Sequence, residues 1–341
     1  MLRHALSSDD TEYMAAALRT LGVGVTEDRI AEEFRVDGNG GRFATGEATL
    51  FIGNAGTAAR FLTSLVALGH GRYVIDGVER MRQRPIQPLL DGLAQLGVHA
   101  VSERGTGCPP LVVEAGGFEG GSARMRGDIS SQYFSSILMV APLSRRGVEL
   151  QVEGELVSKP YIDMTASTMA AFGATMQNHG YRRFTIPGGQ RYQARVYDIE
   201  PDASGASYFF AAAAVTGGRV RVDHLGSGSA QGDLGFVRAL EQMGCTVLQT
   251  TEYTEVSGPA QLKGVDVDMG DISDTAQTLA AIAPFASGPV NIRNIAHVRI
   301  KETDRVAAVT AELRRLGATV EERPDGLTIH PAALHPADIE T

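Results

Sequence analysis

The sequence predicts an α/β protein assembled from a repeated β-α-β-β-α unit, and three observations predict it. Five segments close a helical pattern with an apolar residue followed by glycine: Leu21-Gly22, Leu96-Gly97, Phe172-Gly173, Met243-Gly244 and Leu316-Gly317. Successive glycines of this set lie 75, 76, 71 and 73 residues apart. A second comb, Gly71, Gly147, Gly218 and Gly288, precedes alternating runs and stays 26, 26, 26 and 29 residues ahead of the first. Two combs in step over four periods mark an internal repeat. Each period also holds two helical patterns of different character, one amphipathic and one rich in Ala and Leu.

Within a unit an alternating strand comes first, as in Val148, Leu150, Val152 or Val220, Val222. After a short loop an amphipathic helix follows. Ile86, Leu89, Leu90, Leu93 and Leu96 share one face of it, as do Val306, Val309, Leu313 and Leu316. The glycine that ends this helix takes the position where a positive φ favours glycine. One or two short strands come next, then a second helix, near 56–69, 131–142, 203–216 and 274–286. The first amphipathic helix, near Asp10 to Leu21, lacks most of its preceding strand and the Ala-rich helix before it. At the other end the register calls for one more Ala-rich helix about thirty residues beyond Gly317. The chain is therefore expected to be a window of a longer repeat protein with a hinge near Glu200. Residues 1–199 are expected to form a three-repeat domain lacking its first strand and helix, and 200–341 a second repeat domain, C-terminally curtailed.

Length and composition agree with two globular domains. The 341 residues are 43% hydrophobic, too apolar for a disordered chain. With 31 basic against 40 acidic residues the net charge is −9, which excludes a general binder of nucleic acid or anionic membrane, though not of a small anion. Two cysteines, Cys108 and Cys245, build neither a disulfide framework nor a cysteine zinc site, and the eight histidines do not cluster at metal-ligand spacing. The N-terminus turns polar too soon for a signal peptide, and no run of about 18 apolar residues spans a membrane. A soluble cytoplasmic protein is expected. Forty glycines, about 12% against a usual level of about 7%, act as punctuation rather than low-complexity tracts.

Polar residues that do not belong in a core fall at helix starts. The Ala-rich helices open with Gly53-Asn54-Ala55-Gly56-Thr57-Ala58, Asp128-Ile129-Ser130-Ser131-Gln132, Asp202-Ala203-Ser204-Gly205 and Asp271-Ile272-Ser273-Asp274. The amphipathic helices open with Arg80-Met81-Arg82-Gln83-Arg84-Pro85, Ser158-Lys159-Pro160-Tyr161 and Lys301-Glu302-Thr303-Asp304-Arg305. Capping alone accounts for any one of these taken separately. Arg84, Lys159, Lys301 and Arg305, however, stand where a cation opposes the helix dipole. A convergent anion site explains them, the alternative being scattered surface charge. Asp274 and Glu302 are the candidate general acid and base, against the alternatives of an N-cap and a first-turn acid. Ser130 and Ser131 have no partner histidine for a triad. Gly53-Asn54-Ala55-Gly56 is neither a Walker nor a Rossmann loop.

At these loops the chain resembles the 5-enolpyruvylshikimate-3-phosphate synthase family, the 3-phosphoshikimate 1-carboxyvinyltransferases. The matching motifs are Leu50-Phe51-Ile52-Gly53-Asn54-Ala55-Gly56-Thr57-Ala58, Arg80-Met81-Arg82-Gln83-Arg84-Pro85-Ile86, Ser130-Ser131-Gln132, Leu156-Val157-Ser158-Lys159-Pro160-Tyr161-Ile162-Asp163 and Arg299-Ile300-Lys301-Glu302-Thr303-Asp304-Arg305. They run in the family's order over nearly the whole chain. The resemblance implies an α/β fold of two inside-out α/β barrel domains, each made of βαβαββ repeats, with the site in the cleft between them. It implies a monomer that transfers the enolpyruvyl group of phosphoenolpyruvate to the 5-hydroxyl of shikimate-3-phosphate and releases phosphate, with no cofactor or metal. By position, Ser130, Ser131, Gln132, Ser158, Tyr161, Asp274 and Lys301 hold the shikimate phosphate. His297 is placed with the substrate-binding group, where many relatives have Asn. Gly56, Arg84, Gln132 and Arg305 hold phosphoenolpyruvate, in the subsite that the herbicide glyphosate occupies in this family. Asp274 acts on the 5-hydroxyl and Glu302 on the methylene carbon.

Three family motifs are absent: an early Lys-Ser-x-Ser-x-Arg, an Asp-His-Arg and a late Lys-Thr-Phe-Pro. Their cations complete the phosphoenolpyruvate pocket of the family, so this chain alone is expected to lack measurable transfer. A non-catalytic fragment is one alternative reading. The sister enolpyruvyl transferase of UDP-N-acetylglucosamine is another, disfavoured because Glu79 stands where that family carries a cysteine.

Overall fold

The computed structural model describes residues 1–340. They fall into two compact units, one of Met1–Ile199 and one from Glu200 onward. The first unit opens with β1 (Leu2–Arg3), α1 (Asp9–Thr20) and the hairpin of β2 (Gly24–Asp28) and β3 (Glu33–Asp37). Ser8 caps α1 in a reciprocal box with Thr11, ahead of three acids in the first turn. Next come β4 (Glu47–Phe51), α2 (Gly56–Leu65), β5 (His70–Asp76), α3 (Gln87–Gln95), β6 (His99–Ser102) and β7 (Leu111–Gly116). The four strands form one sheet in the order β4-β5-β7-β6, with β4 and β5 parallel and the rest antiparallel. The pattern repeats through β8 (Gly121–Arg126), α4 (Ser131–Val140), β9 (Val148–Glu153), α5 (Lys159–Ala171), β10 (Gln177–Asn178) and β11 (Arg183–Ile186). The unit ends with β12 (Tyr197–Asp198), which runs parallel to β1 and completes the sheet β12-β1-β3-β2.

The second unit begins with α6 (Ala203–Thr216), β13 (Arg219–Asp223), α7 (Phe236–Gln242), β14 (Thr246–Gln249) and β15 (Tyr253–Ser257). Their sheet, β13-β15-β14, has no parallel strand among the described residues. A full repeat follows: β16 (Val265–Asp268), α8 (Ala276–Ile282), β17 (Val290–Arg293), α9 (Arg305–Arg315), β18 (Val320–Arg323) and β19 (Gly326–Ile329), ordered β16-β17-β19-β18. Among the described residues no helix is long and apolar enough to cross a membrane.

The glycine comb has a direct structural meaning. Gly22, Gly97, Gly173, Gly244 and Gly317 have φ of 85°, 83°, 84°, 102° and 93°, each just past the end of a helix. That left-handed backbone costs an L side chain energy and glycine little. Between α3 and α4 the residue pattern suggests one or two strands, yet three are present. The additional one, β8, opens the next sheet. Such opening strands are four to six residues long, and β8 buries only Ala123 and Met125. That is too few alternations to stand out in a sequence.

Each unit has its own core. Leu62, Ile75, Leu89, Phe134, Ile137 and Phe184 belong to the first, and Phe210, Phe236, Leu240, Leu279, Ile292 and Val306 to the second. Inside each, two helices, α2 with α4 and α6 with α8, meet through a buried hydroxyl pair, Ser64 with Ser136 at 2.5 Å and Ser207 with Thr278 at 2.9 Å. Small residues there let the helices approach and bring their N-terminal ends side by side. Helix α6 is apolar all round: Phe210 is buried, while Tyr208 and Phe209 are each 63% exposed.

Candidate active site

In the first unit the site is built from the starts of α2, α4 and α5 and from the loop after β5. At the end of β5 the Asp76 carboxylate accepts from the Gly77 N–H at 2.8 Å and from Arg82 at 3.0 and 2.6 Å. The Arg82 hydrogen bonds hold the Asp76 carboxyl below the usual carboxylate range. This clamp fixes a 3₁₀ turn, Met81–Gln83, whose Met81 plugs into the core. Arg84 comes next and is 8% exposed. Its Nη1 donates to the Asn54 carbonyl at 2.9 Å, which brings the guanidinium to the start of α2. A Cβ on Gly56 would lie 2.3 Å from Arg84 Nη2 and 2.7 Å from Arg60 Nη1. The glycine therefore leaves room for two guanidiniums at a helix N-terminus, where free N–H groups add to the positive field.

Arg60 is a residue that the motif reading misses. It is 6% exposed, donates to the Gly56 carbonyl at 2.7 Å, and its Nε has no hydrogen-bond partner among the described residues. The available signal was helical spacing: Arg60 sits one turn after Gly56 on a face whose other members are Gly56, Thr57, Thr63 and Ser64.

Helix α4 opens with Ser130 as its cap, the hydroxyl accepting from the Gln132 N–H at 3.3 Å. Ser131 is buried, and Gln132 Nε2 donates to Thr57 Oγ1 at 3.1 Å, tying the start of α4 to that of α2. Tyr133 turns the other way. It is fully buried, its hydroxyl donates to the Pro85 carbonyl at 2.7 Å, and burial pushes its phenol above the ordinary value, so the proton stays on. Midway along α4 and α5 the hydroxyls of Ser135 and Thr165 meet at 2.7 Å.

Ser158 stands at the N-cap of α5 but makes no capping bond. Its backbone is left-handed, with φ 54° and ψ 47°, and the residue is buried. A non-glycine residue held there carries strain, which collects at functional positions. Tyr161 lies in the first turn of α5, and Lys159 pairs with Glu155 at 3.0 Å. Pro85 precedes α3 rather than opening it. The helix begins at Gln87, and Pro88 occupies its second position.

In the second unit the structure brings together Asp274, Lys301, Glu302 and Arg305. Asp274 lies in a 3₁₀ turn, Ser273–Thr275, ahead of α8, whose N-cap residue is Thr275. Its Oδ1 accepts from Lys301 Nζ at 2.8 Å and from Arg305 Nη1 at 2.6 Å. Arg305 also grips Glu302 with both edges of its fork, Nε to Oε1 at 2.5 Å and Nη2 to Oε2 at 2.9 Å. The cap of α9 is Asp304, so Glu302 is not a first-turn acid but precedes the helix. Burial pushes the Glu302 carboxyl up, and the hydrogen bonds and charge of Arg305 outweigh it, so the group sits below the ordinary carboxylate range. Arg299 fastens this loop from behind, bonding both Asp304 oxygens and Glu322 and the carbonyls of Arg323 and Pro324.

His297 joins the same neighbourhood. Its Nε2 lies 3.0 Å from Ser273 Oγ, linking the loop after β17 to the one after β16. Burial, with help from the Lys301 charge, pushes its pKa down to about 4. The ring is therefore neutral at pH 7. The folded state leaves His297 unprotonated where the unfolded chain, titrating at 6.5, takes up a proton. Its contribution to stability is complete above pH 6.5 and is lost as pH falls to about 4. Stability is expected to drop by up to about 3 kcal/mol across that window from this group. His297→Asn should flatten that part of the profile, read as urea midpoints at pH 7 and pH 4.5; an unchanged slope in the variant would refute it.

Comparison with known proteins follows the same residues. The family model described as EPSP synthase (3-phosphoshikimate 1-carboxyvinyltransferase) matches residues 1–341. A protein of Trichormus variabilis named 3-phosphoshikimate 1-carboxyvinyltransferase is 51% identical over 340 residues, covering 100% of this chain and 80% of the relative. One of Solanum lycopersicum, named 3-phosphoshikimate 1-carboxyvinyltransferase, chloroplastic, is 46% identical over 355 residues, covering 98% and 68%. The solved EPSP synthase from Acinetobacter baumannii superposes with a TM-score of 0.78 at 23% identity, over 97% of this chain and 75% of that one, a likeness of fold.

Proposed function

The chain belongs to the EPSP synthase family, and from that premise we propose how its residues carry out enolpyruvyl transfer. The reaction moves the enolpyruvyl group of phosphoenolpyruvate to the 5-hydroxyl of shikimate-3-phosphate and releases phosphate, a step of aromatic amino acid biosynthesis. The observation that carries the residue assignment is the cluster of two carboxylates and two cations formed by Asp274, Lys301, Glu302 and Arg305. Gly56, Arg84, Gln132 and Arg305 hold phosphoenolpyruvate. Ser130, Ser131, Gln132, Ser158, Tyr161 and Lys301 hold shikimate-3-phosphate, and His297 supports the Asp274 turn through Ser273.

In the addition step Glu302, released from Arg305 by the incoming anion and protonated from solvent, gives that proton to C3 while Asp274 takes the 5-hydroxyl proton and that oxygen attacks C2 of phosphoenolpyruvate. In the elimination step Glu302 takes a proton back from C3, the C2–C3 double bond re-forms, and phosphate leaves C2 with the bonding pair, taking up the proton held by Asp274. Without substrate both carboxylates are held by Arg305 and Lys301. An anionic substrate competes for those cations, and a carboxylate that loses them becomes the stronger base.

The direct test is phosphate release by a version of the chain that carries the three absent family motifs, required to depend on both phosphoenolpyruvate and shikimate-3-phosphate. Release with neither dependence, or none at all, would refute the assignment. We further place the protein in the cytoplasm as a monomer that acts on small anions and not on nucleic acid, consistent with its net charge of −9. Light scattering on the eluting peak should return a mass near 36.2 kDa; twice that mass would contradict the monomer.

A further inference from the structure

The geometry points to Tyr133 as a positioning residue for Arg84, an inference that rests on the assignment of Arg84 to phosphoenolpyruvate. Arg84 reaches the start of α2 on a loop that needs an anchor on each side. The anchor before it is the Asp76–Arg82 pair. The anchor after it is the Tyr133 hydroxyl, 2.7 Å from the carbonyl of Pro85, the residue that follows Arg84 in the chain. Proline fixes its own φ and restricts the residue before it to an extended backbone. Arg84 obeys, with φ −87° and ψ 120°. With those torsions restricted, holding the Pro85 carbonyl sets the direction in which the Arg84 side chain leaves the loop.

Tyr133 also reaches the second guanidinium. Its ring lies under Arg60, 5.9 Å from Cζ to the ring centroid. Arg60 and Arg84 crowd the same space above Gly56. Two like charges that close repel, and each needs a hold that keeps it there. One buried side chain supplies both, by its hydroxyl to the Arg84 loop and by its negative ring face to Arg60. It also follows Gln132 directly, so one turn of α4 presents Gln132 to Thr57 at the start of α2 and Tyr133 to the Arg84 loop and Arg60.

The structure contains its own control. Tyr192 donates to the Met139 carbonyl, at the other end of α4, over the same 2.7 Å. Tyr133→Phe and Tyr192→Phe each delete one hydroxyl from one tyrosine–carbonyl bond and should lower the melting temperature comparably. Only Tyr133→Phe is expected to raise KM for phosphoenolpyruvate, by about tenfold, with kcat and KM for shikimate-3-phosphate within about twofold of the parent. A second readout needs no turnover: modification of Arg84 by phenylglyoxal, followed by peptide mass spectrometry, should accelerate at least about threefold in Tyr133→Phe and not in Tyr192→Phe. Unchanged Arg84 labelling overturns the positioning role whatever the kinetics. In an active enzyme, so does an unchanged KM for phosphoenolpyruvate or an equal shift in Tyr192→Phe. Accelerated labelling in the 341-residue chain sustains the positioning of Arg84 whether or not that chain releases phosphate; a version carrying the three absent family motifs that releases none refutes the enzymatic reading instead.

Discussion

In a version carrying the three absent family motifs, Asp274→Asn and Glu302→Gln each lower phosphate release by about 10²- to 10⁴-fold while the chain stays folded, the range expected when a positioned proton-transfer group is removed. Both substitutions keep the shape of the side chain and delete only its charge and basicity. The cost to folding is small by comparison. Asp274 and Lys301 are partly exposed, at 24% and 28%, and such ion pairs contribute about 1 kcal/mol or less. Activity and stability therefore separate, and thermal melting run beside the phosphate assay shows it. The two variants also differ from one another. Glu302→Gln still allows Arg305 to reach Asp274, whereas Asp274→Asn removes the charge on which Lys301 and Arg305 converge. Asp274→Asn should accordingly lose affinity for shikimate-3-phosphate as well as rate. Near-parental phosphate release from both variants would reduce these residues to structural partners of Arg305.

In the same completed version, Gly56→Ala raises KM for phosphoenolpyruvate by about 10- to 150-fold, the equivalent of one lost charge-assisted hydrogen bond of about 1.5–3 kcal/mol. The added methyl would sit 2.3 Å from Arg84 Nη2, closer than any real contact allows. What gives way is the far end of a flexible side chain, so the guanidinium moves and the fold does not. Gly56 is the first residue of α2 and does not have a positive φ. Alanine there is compatible with the backbone and removes freedom from the unfolded chain, so stability is expected to hold or rise slightly. A weaker substrate site in an equally stable protein is the distinguishing result. Steady-state kinetics with each substrate varied in turn provides it, and an unaltered KM would show that Arg84 keeps its place despite the methyl.

Much of the architecture was legible because it is written locally. A helix that ends in left-handed glycine, an alternating run and an Ala-rich stretch each involve a few neighbouring residues, and their repetition multiplied the signal. The helix starts bearing Gly56, Ser130, Ser158, Asp274 and Arg305 were legible for the same reason. Capping was harder to read. Ser8, Ser130, Asp202 and Asp304 cap their helices, whereas Ser158 adopts a left-handed backbone and Asp274 turns to two cations. A cap and a ligand-binding residue use the same residue types at the same position, so composition cannot tell them apart.

What only the tertiary structure decided is which loops meet. Arg84 finds Asn54 across 30 positions, Arg305 finds Asp274 across 31, and Gln132 finds Thr57 across 75. Strand β12 closes on β1, pairing Tyr197 with Leu2. Residue patterns carry the period of an element and the face it buries. They do not carry the partner, because a buried arginine or a short edge strand is satisfied by any complementary group that packing brings within reach. Arg60 and Tyr133 show this most clearly. As sequence they are one charge and one aromatic in two core helices, and they acquire a role only when α2, α4 and the Arg84 loop are packed against one another.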